Sequence, residues 1–214
     1  MSRYSIREEK ANVITHAVGI PFGLVVFSFY IWQNSPSGNW WLIVSTLVYA
    51  LFMTASYLTS TLYHFEREQE RKQHLRKFDH AAIYLHIAGS YTPFTLVVLR
   101  NESYWGWMLF AIIWVAAIIG VILSFTNLKN ASKFETLCYV AMGWVVVIAF
   151  KPLIDVLSAV QAMPIFWWLV AGGAAYTLGA IIYLLKKVEY MHAVWHLFVL
   201  AGSICHAIAI SLIH

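Results

Sequence analysis

Long apolar runs separated by short polar breaks dominate the chain, and most are too long for strands. The hydrocarbon core of a bilayer, about 30 Å thick, needs about 20 residues of helix to cross it. Seven stretches meet that length: Val13–Trp32, Trp40–His64, Asp79–Leu99, Tyr104–Phe125, Thr136–Leu157, Ile165–Leu185 and His192–Ile213. The pattern predicts an all-α integral membrane bundle of seven transmembrane helices, organised as a single domain over residues 1–214. Lys151-Pro152 interrupts the fifth stretch, where the lysine can snorkel at a helix end. Connections are short except Phe65–Phe78, a strongly charged segment that reads as a polar surface helix or a solvated link.

Composition sharpens this picture. The chain is 61% hydrophobic and only 11% charged, against roughly a quarter charged in soluble proteins, so a soluble domain is excluded. Its 10 Trp and 12 Tyr suit aromatic belts at the two membrane interfaces. The net charge of +4 does not point to nucleic acid, because the basic residues are scattered over short connections and form no face. Cys138 and Cys205 lie within apolar runs, which argues against a disulfide framework or a thiolate metal site. The first ten residues are mostly polar and charged, and the first apolar run is long enough to span. An uncleaved first helix is therefore expected in place of a cleaved signal peptide.

Charge also sets orientation. Arg3, Arg7, Lys10, Arg67, Arg71, Lys72, Arg76, Lys77, Lys129, Lys133, Lys186 and Lys187 fall on the side of the N-terminus, and only Arg100 and Lys151 on the other. The positive-inside bias then makes the N-terminus cytoplasmic and, after seven crossings, places the C-terminus outside.

Candidate chemistry gathers at one level of the bundle. In His192-Ala-Val-Trp-His196 two histidines four residues apart sit one turn above the other, where their rings can share a metal ion. Imidazole at membrane depth is costly and marks function. His64 ends the second helix, Asp79 opens the third and the 192/196 pair opens the seventh, so all four fall in the cytoplasmic leaflet. An even number of crossings would have separated the pair from His64. Ser60 lies one turn deeper on the face of His64, and Asp79, His86, Ser90 and Pro93 share a narrow inward stripe of the third helix. Three neutral imidazoles around zinc leave a fourth position for water, whose pKa falls to about 7. A carboxylate that does not bind the metal can orient that water and accept its proton. Zn2+ on His64, His192 and His196, with Asp79 and Ser60 beside it, has the parts of a metal-dependent hydrolase.

Three separated motifs resemble a known family. They are Ser60-Thr-Leu-Tyr-His64, then Phe78-Asp79-His80-Ala-Ala-Ile-Tyr84 followed by Gly89-Ser90-Tyr91-Thr92-Pro93, and finally His192 through His206. In this order they are similar to the hemolysin III branch of the progestin and adipoQ receptor (PAQR) family, and Asn12, Thr15, His16 and Gly19 fit the start of its first helix. The resemblance implies a seven-helix membrane protein of the bacterial inner membrane. It also implies His64, His192 and His196 as zinc ligands, Asp79 as the acid that holds a zinc-bound water, and Ser60 as a polar neighbour. The family is further similar to alkaline ceramidases, which suggests hydrolysis of lipid amide or ester bonds, and its bacterial members are linked to membrane-lipid homeostasis. The chain lacks the long N-terminal extension of the eukaryotic receptors, so hormone binding is not carried over.

Structural roles compete at several positions. Asp79 also suits a helix N-cap, and Ser60 suits packing better than nucleophilic attack. His16 is either a supporting partner or a substitute ligand; His80 reads as structural, His86 as a member of a polar network, and His206 as a histidine bonded to another helix. Gly19 and Gly23 read as a helix-packing pair. Membrane lipids are the expected partners, with a homodimer open. Two functions outside hydrolysis remain: a structural zinc in a regulator of membrane state, and a haemolysin-like pore.

Overall fold

The computed structural model describes residues 4–101, 104–126, 132–184 and 188–213. Arg3, Lys129, Lys186 and Lys187 of the basic tally, and Leu185 at the end of the sixth stretch, lie outside them. Among the described residues there is no strand, and seven helical segments are long and apolar enough to cross a membrane.

The first crossing, Ile6–Ser37, is two helices, α1 (Ile6–Ala17) and α2 (Gly19–Asn34). It begins seven residues before the apolar pattern does, because Ser5 and Glu8 form a capping box: Glu8 N–H donates to Ser5 Oγ at 3.2 Å and Ser5 N–H to Glu8 Oε2 at 2.9 Å. The break at Val18 has a covalent cause. Pro21 lacks an N–H, and its ring crowds the carbonyl four residues back, which is that of Ala17. Gly19 then lies against the Tyr57 ring and Gly23 against the Thr54 side chain, so closely that any Cβ would overlap them. The glycine pair is a packing device, as its spacing predicts.

Those neighbours belong to α3 (Trp40–Phe65), whose N-terminus is capped by Asn39 Oδ1 accepting from Trp41 N–H at 3.1 Å and Leu42 N–H at 3.3 Å. The next helix, α4 (Gln69–Pro93), departs from the sequence reading. It opens ten residues before Asp79, since Gln69 to Lys77 is rich in Gln, Glu, Arg, Leu and Lys, all strong helix formers. The charged connection is thus mostly the polar end of a crossing helix. Asp79 sits inside that helix, so it is not the N-cap that opens the third crossing. Beyond Pro93 the chain widens into one π-helical turn, Phe94–Val98.

After α5 (Trp105–Phe125), the fifth crossing is broken into α6 (Ser132–Gly143), a 3₁₀ stretch Val145–Ala149 and α7 (Phe150–Ala159). Pro152 explains the position of the break, for the carbonyl it cannot engage is that of Ile148. Lys151 is exposed and pairs with Asp155 at 2.6 Å. The last two crossings are α8 (Met163–Tyr183) and α9 (Met191–Ser211).

The crossings close on one another. The α3 helix packs on α1, α2 and α4; α4 meets α5 and α6; α6 meets α8; α8 lies along α9, and α9 returns to α1. The third crossing is the most enclosed, with 72% of its apolar window buried, which makes it the wall that the others surround. Tyr49, Met53, Tyr57, Leu153, Leu157 and Ile210 form the driest part of the core, whereas Val25, Leu51, Ile118, Ile122 and Ile181 are more than half exposed and form the lipid-facing belt. Cys138 and Cys205 are both free.

Candidate metal centre

The site is assembled where the first, second, third and last crossings share one end of the bundle. The α3 helix brings His64 on its last turn, and α9 brings His192 and His196 on its first two. Tyr190 caps α9 in the left-handed conformation with φ 63°, strained for a residue with a side chain. Its N–H donates to Glu8 Oε1 at 3.3 Å, so the same carboxylate that caps α1 also holds the start of α9.

The three rings converge. One nitrogen from each of His64, His192 and His196 lies within 4.8 Å of the other two. The Nε2 atoms of His64 and His192 stand 3.0 Å apart. The outward nitrogens decide what the inward ones offer. His64 Nδ1 faces Glu9 Oε2 at 2.7 Å and His196 Nδ1 faces the Asn12 carbonyl at 3.2 Å. Carboxylate and carbonyl oxygens only accept, so both Nδ1 atoms carry the proton and both Nε2 atoms present a lone pair inward. Thr15 Oγ1 donates to the Ala11 and Asn12 carbonyls and is left to accept from His196 Nδ1 at 3.1 Å. His192 Nδ1 meets the Tyr4 hydroxyl at 3.1 Å. His196 is fully buried, and its Nε2 meets no hydrogen-bond partner among the described residues.

Such a set fits a cation. A tetrahedral zinc with Zn–N of about 2.0–2.1 Å places ligand nitrogens about 3.3–3.4 Å apart, so the set needs ring adjustments of about 1 Å. Three imidazole donors also suit copper, iron or nickel. The supporting groups have the form that metal-bound histidines use: an acceptor behind His64 and another behind His196 fix tautomer and orientation, and a hydroxyl stands behind His192.

Glu9 is the pivot of that support. Besides His64, its carboxylate reaches Lys72 Nζ at 3.0 Å, and Lys72 also donates to the Tyr63 and Glu66 carbonyls, both at 3.1 Å. Because Lys72 keeps those carbonyls when the carboxylate is gone, Glu9→Gln should leave the fold intact. It should weaken metal binding about 10- to 100-fold, read by competition with a calibrated chelator.

The other sequence candidates divide. Asp79 on α4 and Ser60 on α3, one turn before His64, are both buried. His16 is not among the grouped nitrogens; it stacks on His196, ring centroids 3.4 Å apart and 23° from parallel. His80 joins α4 to α6 through Glu135 Oε2 at 2.7 Å, the structural role its position suggests. His206 lies far down α9 against Tyr176 of α8, and His86 is buried on α4. Glu9, Lys72 and Tyr4 escaped the sequence reading. The signal was available in Ser5-Ile6-Arg7-Glu8, whose capping-box spacing starts a helix early enough to put Glu9, Asn12 and His16 on one face.

A cavity of about 1070 Å³ opens beside the triad and runs inward between α4, α6, α7, α8 and α9. Asp79 and His192 line its polar end, and Phe94, Phe150, Leu153, Phe166 and Leu169 line its depth.

Comparison with known proteins identifies the family. The family model described as "Haemolysin-III related" matches residues 4–207. "Hemolysin-3" of Bacillus cereus is 41% identical over 198 residues, which cover 92% of this chain and 88% of that protein. "Hemolysin-3 homolog" of Bacillus subtilis (strain 168) is 38% identical over 200 residues, 94% of this chain and 91% of that one. The human "Monocyte to macrophage differentiation factor" is more distant, 27% identical over 215 residues, with 95% of this chain and 83% of that protein covered. With its motifs, its seven crossings and these relatives in agreement, the chain belongs to the haemolysin-III-related family of multi-pass membrane proteins.

Proposed function

We propose that this protein is a zinc-dependent hydrolase that cleaves an acyl amide or ester bond of a membrane lipid. The observation that carries the reading is the joint lining of one cavity by Asp79, His192 and a long apolar wall. A polar end suits a carbonyl at the membrane interface, and the apolar depth suits the attached chain. Three protein donors favour chemistry over a purely structural ion, since structural zinc sites close with four. Zinc bound there would polarise the carbonyl and supply an activated water at neutral pH. The outer partners Glu9, Asn12 and Tyr4 keep the imidazoles aimed. Asp79 takes the proton released by the attacking water and passes it to the leaving nitrogen or oxygen as the acyl bond breaks. Ser60 holds that carboxylate in place and is a positioning residue. The lysine and arginine bias supports a cytoplasmic location for this end of the bundle.

Purified protein incubated with a bacterial lipid extract should release fatty acid. A strong chelator should reduce that release to background, and added zinc should restore it. If metal-loaded protein releases nothing while chelation only lowers its thermal midpoint, the ion is a structural tie between α3 and α9 and the hydrolase reading is wrong.

A further inference from the structure

Two histidines deeper in the same cavity have no part in the metal centre. His86 lies seven residues beyond Asp79 on α4 and His206 lies ten beyond His196 on α9, placing them about 10 Å and about 15 Å further in. Both line the cavity, and both rings flank Tyr176, with centroids 6.2 and 5.3 Å from it. His86 is only 6% exposed. Its Nε2 and the Nδ1 of His206 are buried and meet no hydrogen-bond partner among the described residues. Orphaned polar atoms at hydrocarbon depth are costly unless something satisfies them.

Neighbouring hydroxyls cannot turn to them. Tyr57 OH donates to Ser203 Oγ at 2.7 Å, Tyr176 OH pairs with the same Oγ at 2.9 Å, and that Oγ reaches the Val199 carbonyl at 3.0 Å. Tyr49 OH is spent on the Ser203 carbonyl at 2.9 Å. An imidazole nitrogen donates or accepts according to its tautomer, so each of the two orphaned nitrogens wants a polar partner of one kind or the other. A carbonyl or ether only accepts and serves one tautomer alone. A hydroxyl serves either, because it both donates and accepts.

The geometry points to a second, uncharged subsite at His86 and His206 that takes a hydroxyl group partway along a lipid chain, so that the protein prefers hydroxylated acyl chains. This rests on the reading of the cavity as a lipid site and names which lipids it favours. Oleate and ricinoleate make the test, since they differ by one mid-chain hydroxyl. Each should displace a fluorescent fatty acid from the metal-loaded protein in lipid nanodiscs, with ricinoleate about three- to tenfold tighter, the worth of one buried hydrogen bond. His206→Phe should erase the preference and keep oleate binding, and His206→Asn, which retains an acceptor, should keep part of it. Equal affinities in the native protein would mean that water alone serves these imidazoles, and the inference falls while the hydrolase reading stands. If neither acid displaces the probe, the cavity is not a lipid site and both fall.

Discussion

His196→Ala should yield a protein that no longer retains metal through purification. A bound structural zinc is worth about 10–16 kcal/mol; shared over three ligands, even the lower figure makes one imidazole worth about 3 kcal/mol, or more than a hundredfold in affinity. The structure argues for at least that much, because His196 is fully buried and its Nδ1 is already locked by Asn12 and Thr15. Elemental analysis should find one metal per native chain and none per variant. A chelator should lower the thermal midpoint of the native protein and leave that of the variant unmoved, since a ligand stabilises only the state that binds it. His192→Ala, at a less buried position, gives the same readout with less disturbance to packing. Metal retained at native stoichiometry in both variants would show that the triad is not the site.

Asp79→Asn should produce the opposite pattern, with metal retained and turnover lost. The amide matches the carboxylate in shape and can still meet Ser60, but it cannot accept the proton. Loss of a general base costs about a hundredfold to ten-thousandfold in rate. Fatty-acid release from lipid extract, divided by metal content, is the measurement. A native rate per bound metal would remove Asp79 from the mechanism, and equal losses of metal and rate would make it a contributor to binding instead.

What the sequence makes legible follows from periodicity. Apolar length alone locates seven crossings, and their odd number brings His64, His192 and His196 to one end. Apolar length cannot see a helix made of charged residues, however. Glu8, Glu9 and Lys10, and likewise Gln69 to Lys77, are polar and helical at once, and two elements therefore start earlier than hydropathy places them. That shift hides Glu9 behind His64 and turns Asp79 from a cap into an interior residue. The break in the fifth crossing is readable in kind from Pro152, yet its placement over Val145–Ala149 comes from the carbonyl four residues back. The hydrogen bonds behind the rings could not be read from pattern, since Asn12 contributes its main chain to His196 and only a folded backbone shows where a carbonyl points.

The triad's dependence on both ends of the chain imposes a schedule on biogenesis. Asn12 and His196 are 184 positions apart, and a ribosome adding about 5–20 residues per second separates them by about 10–40 s. For most of that interval Glu9 and His64 have been made and the helix that completes the triad has not. A metal at this triad could therefore be captured only once the final helix has been made, since a nascent chain stalled before residue 192 would lack two of the three imidazoles.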